Sequence, residues 1–126
     1  MDDQQQDFAG LSSAISDEAS RLFREGTGRE PKGLRTIIDD EFVMVVLGNT
    51  LTEAERGMVD NGLEERVLQL RHDFQLVLRD DLVNAVERSM HRKVIAFISS
   101  NHIDPDLAVE VFMLEPIGGS DPPAEA

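Results

Sequence analysis

The sequence predicts an α+β domain. In it, a four-stranded, mostly antiparallel sheet made of two hairpins packs against an N-terminal helix and a short-plus-long pair of central helices. Three observations lead there. Two pairs of β-branched, apolar runs are each split by a short polar segment, as in hairpins. Apolar residues at three- and four-residue steps precede the first pair and separate it from the second, as in helices with one buried face. A capping box at Thr52-Glu53-Ala54-Glu55 places the start of the central helices.

The first helix is expected from about Gly10 to Glu25, where Leu11, Ile15, Ala19, Leu22 and Phe23 form one apolar stripe. Gly26 and Gly28 can stop it by adopting positive φ. Arg29 to Gly33 reads as a loop broken by Pro31 and Gly33. Leu34–Ile38 and Glu41–Leu47 are the clearest strands, with Asp39-Asp40 as a two-residue turn. The Thr52 hydroxyl can accept from the Glu55 amide while the Glu55 carboxylate accepts from the Thr52 amide, so a short helix follows to about Val59. After Asp60-Asn61-Gly62, a long helix is expected from Leu63 to about Arg92. Its stripe is Leu63, Val67, Leu70, Phe74, Val77, Leu78, Leu82, Ala85, Val86 and Met90. At 1.5 Å per residue it would be about 45 Å long, more than one small sheet can cover. Lys93–Ser100 and Leu107–Leu114 complete the sheet around the loop His102 to Asp106.

The 126 residues suit one domain. It is expected over 10–116, between a disordered lead (1–9) and a disordered acidic tail (117–126). With six Phe and no Trp or Tyr, the core must be aliphatic. No cysteine is present, which removes disulfides, thiolate metal sites and a thiol nucleophile. The longest apolar run, Phe42 to Leu47, is far below the ~20 residues that span a bilayer. A polar N-terminus does not read as a secretory signal. The expectation is a cytoplasmic protein that reaches a membrane only through a partner, without inserting into it. Twenty-five acids against twelve bases give a net charge of −13, which repels phosphate backbones and argues against nucleic-acid binding.

The stretch Gly28-Arg29-Glu30-Pro31-Lys32-Gly33-Leu34-Arg35-Thr36 continues through Ile38-Asp39-Asp40 and Val43 to Leu51-Thr52-Glu53-Ala54-Glu55. It resembles the MpsC-like family, named after a Na+-translocating, membrane-potential-generating system, over roughly Ser12 to Glu115. The residues that carry the likeness are Gly28, Pro31, Asp39, Leu51, Thr52 and Glu55; Glu30 departs from a glycine common in the family. The resemblance implies an α+β domain linked to membrane ion or inorganic-carbon transport. It supplies no catalytic residues to carry over.

Arg29, Lys32 and Arg35 put three cations within seven residues of an acidic chain, beside glycines whose amides a ligand can approach. With Thr36 they are the candidate site for a small anion or a partner contact. The simpler reading pairs Arg35 with Asp39, Asp40 or a helix acid. Arg88, His91, Arg92 and Lys93 oppose the negative end of the long helix, which needs no further function. His102, Asp104 and Asp106 match neither a zinc nor an EF-hand pattern and read as a polar turn. No nucleophile elbow, phosphate loop, dinucleotide fingerprint or zincin motif is present. The sequence therefore points to a non-enzymatic accessory or regulatory protein without metal or cofactor, acting as a homodimer and through contacts with a membrane transport complex. The alternative is a dimeric sensor of a small anionic metabolite.

Overall fold

A computed structural model of the protein describes residues 2–116; the expected acidic tail lies outside the described residues. The element order is α1 (Asp2–Thr27), β1 (Lys32–Ile38), β2 (Phe42–Gly48), α2 (Glu53–Asp60), α3 (Glu64–Met90), β3 (Val94–His102) and β4 (Leu107–Leu114). Helix α1 begins at Asp2 rather than Gly10. Acids followed by glutamines at positions 2–6 suit a helix start in composition, a signal that does not register as apolar periodicity. Gly28, at φ 74°, closes the helix by donating to the Arg24 carbonyl at 2.8 Å.

Both hairpins form, and the strands run β1-β2-β4-β3 with every pairing antiparallel. The Asp39 amide donates to the Phe42 carbonyl at 2.8 Å, so the tight turn sits at Asp40-Glu41, one residue beyond its expected place. The Asp39 carboxylate accepts from the Glu41 amide at 3.1 Å, which favours this register. Lys32 and Gly33, expected in the preceding loop, already belong to β1.

Strand alternation divides the sheet into two unlike faces. Val43, Val45, Leu47, Ala108, Phe112 and Leu114 point at the helices and join Ile15, Ala19, Leu22 and Phe23 of α1 and Leu78, Leu82, Ala85 and Val86 of α3 in one core. The predicted aliphatic core is realised, with Phe97 and Phe112 adding a tilted ring pair at 5.2 Å between centroids. The opposite face points away from the helices, and the register aligns its residues across the sheet. Ile37, Met44, Val111 and Ile98 make one row across all four strands, with Arg35, Val46, Val109 and Ser100 beside it. Phe42, Met113 and Ala96 make a third.

The predicted α3 stripe is split. Val67, Leu78, Leu82, Ala85 and Val86 are buried, but Leu63, Leu70, Phe74 and Val77 are exposed, Val77 by 75%. At 27 residues the helix is about 40 Å long and outruns the sheet, so that among the described residues one flank of its first half is left uncovered. The inward face runs through Val67, Arg71, Gln75 and Leu78 instead, with two polar residues inside it.

Candidate functional site

The residues beneath the first half of α3 form a polar network. Arg71 donates from Nε to Asn101 Oδ1 on β3 at 3.2 Å, and from Nη2 to the Thr50 hydroxyl. Its Nη1 stands 3.6 Å from Glu55 Oε1, an ion-pair distance but too long for a hydrogen bond. That oxygen already accepts from the Thr52 amide at 2.8 Å, within the predicted capping box, which is present in full. Gln75 exchanges hydrogen bonds with Asn101 and donates to Glu110 Oε2 at 2.8 Å.

Glu110 is fully buried on β4. Burial pushes its carboxyl up to about 7, opposed by Ser99, Gln75 and Arg71. Ser99 faces it across the sheet. It is near enough to favour the carboxylate, yet Ser99 Oγ and Glu110 Oε1 are both buried without a hydrogen-bond partner among the described residues. Neither Glu110 nor Arg71 and Gln75 figured among the sequence candidates. Strand parity could have found the first, because Glu110 alternates with Ala108, Phe112 and Leu114. Steps of four and three from Val67 to Leu78 could have found the others.

Above this network lies a cavity of about 210 Å³ between the end of α1, the Arg29–Pro31 loop, α2 and α3. Phe23, Pro31, Met58, Leu70 and Phe74 give it an apolar wall; Arg29, Arg71, Thr50 and Glu55 give it a polar end. Arg29 is held by Asn49, donating from Nε to its carbonyl at 3.1 Å and from Nη2 to Oδ1 at 3.2 Å. Asn49 adopts φ 55°, a left-handed geometry that asparagine tolerates. Among the described residues, Arg29 meets no carboxylate within ion-pair distance.

The four candidate contact residues do not converge. Arg29 lines the cavity, whereas Lys32 is exposed at the start of β1. Arg35 lies on the open sheet face, and Thr36, on the other face, bonds Ser16 of α1 at 2.8 Å. What does converge is part of the set that carries the family likeness. Pro31 is buried against the same cavity as Thr52 and Glu55, while Gly28 shapes the turn leading into it. Leu51 is buried beside them, and Asp39 stays in the distant β1–β2 turn.

Asp106, read from sequence as a turn charge, is a tertiary anchor. Its carboxylate accepts from the Leu51 amide at 2.9 Å and the Thr50 hydroxyl at 3.1 Å, with Arg56 at 3.3 Å. His102 turns back on the Pro105 carbonyl at 2.8 Å. At the far end of α3, Arg88 pairs with Glu18 of α1 at 3.3 Å and Arg92 donates to the Glu115 carbonyl at 2.6 Å.

The family model for MpsC, described as Na+-translocating membrane potential-generating system (MpsC), matches residues 9–116. The chain belongs to the MpsC family. No curated protein and no solved structure matches it. The matched span takes in all the strands, α2, α3, the cavity and α1 from residue 9 onward. Among the described residues, no helix of this MpsC chain is long and apolar enough to cross a membrane. A role linked to Na+ membrane-potential systems is what the family description supports.

Proposed function

We propose that this chain is a non-enzymatic accessory or regulatory protein that acts by protein contacts on a membrane cation or inorganic-carbon transport system. The observation that carries the reading is the open sheet face. In a chain of net charge −13, three rows of side chains on that face contain no acid. Ile98 is 56% exposed and Ile37 is 40% exposed there. A contiguous apolar face with Arg35 at its rim suits a partner's apolar, acid-edged surface. The family description, a Na+-translocating membrane potential-generating system, supports taking a component of such a system as the partner.

Affinity purification from membranes of the native organism tests this, with Ile98→Lys and Arg35→Ala as controls. One transport complex retained by the wild type and lost by Ile98→Lys is the expected result. Retention undiminished by both substitutions would remove the sheet face from the reading.

A second reading is a dimeric sensor of a small anionic metabolite. It is supported by the cavity, where Arg29 and Arg71 outnumber the single acid Glu55. A thermal-shift screen separates the two readings, since a sensor gains melting temperature with one anion and a scaffold does not.

A further inference from the structure

We infer that the cavity between α1, α2 and α3 binds an amphipathic monoanion, a carboxylate carried on a short unbranched apolar tail. This rests on the sensor reading and names its ligand class and its place.

Charge supplies the first part of the case. Arg29 is fixed by two hydrogen bonds to Asn49, a neutral residue, so its position is set without its charge being matched. Arg71 commits two of its nitrogens to Asn101 and Thr50. Its third stands beyond hydrogen-bond distance from Glu55, whose near oxygen is occupied by Thr52. Two guanidinium groups and a single acid therefore line one cavity. A ligand carboxylate would supply the missing charge and accept the unspent donors.

The wall supplies the second part. Phe23 and Pro31 are buried against the cavity, while Leu70 and Phe74 keep 41% and 37% of their surface exposed beside it. An inorganic anion would leave that wall wet; a tail would cover it. A closed apolar cavity of roughly 150 Å³ accepts a six-carbon ring. The 210 Å³ here therefore suits a ligand of roughly six to ten heavy atoms, such as hexanoate. A phosphate monoester, with its double charge, would exceed the net single positive charge of the lining residues.

Full-length 15N-labelled protein is titrated with hexanoate, acetate and hexanol at fixed ionic strength, following amide shifts. Hexanoate is expected to move Thr27, Ala54, Met58, Arg71 and Phe74 saturably. Each buried methylene strengthens binding about fourfold, so acetate should be at least tenfold weaker. Hexanol, lacking the charge, should also be at least tenfold weaker. Ala54→Leu, which fills part of the cavity and removes no hydrogen bond, should abolish the shifts. Arg29→Gln, able to keep a bond to Asn49, should weaken hexanoate about tenfold, and Ala54→Leu decides alone if that variant does not fold. Hexanol binding as well as hexanoate would overturn the role of the arginines. Acetate binding as well as hexanoate would overturn the tail while leaving an anion sensor standing. Absence of saturable binding by either anion would overturn both readings.

Discussion

Replacing Glu110 with Gln removes one titrating group from the interior and little else, because the two side chains have nearly the same shape. The wild-type carboxyl is raised from an ordinary 4.5 to about 7, first by burial, with Ser99, Gln75 and Arg71 opposing. A raised carboxyl pKa means that the folded state holds a proton the unfolded chain has already released. Stability from this group is therefore present below pH 4.5 and lost progressively as pH rises through 7. At 1.36 kcal/mol per pH unit, the interval between the two values is worth about 3 kcal/mol. Urea denaturation of wild type and Glu110→Gln at pH 5 and pH 8.5, at one ionic strength, measures it. The other titrating groups cancel in the difference between the two proteins. The variant should gain about 2–3 kcal/mol relative to wild type on going from pH 5 to 8.5, slightly less than the full interval because pH 5 already lies above 4.5. A difference constant to within about 0.5 kcal/mol would refute the argument that burial dominates at Glu110.

Asp106→Ala should cost about 2–4 kcal/mol in chemical denaturation, because it strands the Leu51 amide and frees the Thr50–Leu51 segment from the β3–β4 turn. Asp106→Asn should recover part of that loss by keeping an acceptor for Leu51. Thr52→Ala should lower stability by about 1 kcal/mol through loss of the capping box, read as a shift in the urea midpoint with an unchanged slope. Ile98→Lys should change stability by less than about 0.5 kcal/mol, since Ile98 lies on the open face, while abolishing retention of the transport complex.

Local patterns by themselves determined the α+β class, both hairpins, the capping box and the order of the helices. Each depends on residues within a few positions of one another: the Thr52–Glu55 pair, the β-branched run Phe42 to Leu47, the three- and four-residue steps from Ile15 to Phe23. The start of α1 escaped because charge and helix propensity, not apolar spacing, set it. The split of the α3 stripe escaped because spacing shows which residues share a face, not whether anything lies opposite. The likeness to the MpsC family was also legible in the residues, although not why those residues belong together. Only the tertiary structure decided that Pro31, Thr52 and Glu55 border one cavity with Arg29 and Arg71, since their meeting depends on how the end of α1, α2 and α3 come together around it. It decided as well that Arg35 and Thr36, neighbours in the chain, serve opposite faces of the sheet. And it decided that Glu110, one acid among twenty-five, lies where water does not reach. Burial is a property of the whole packed arrangement, so the chemistry that depends on it appears only when the helices close over the sheet.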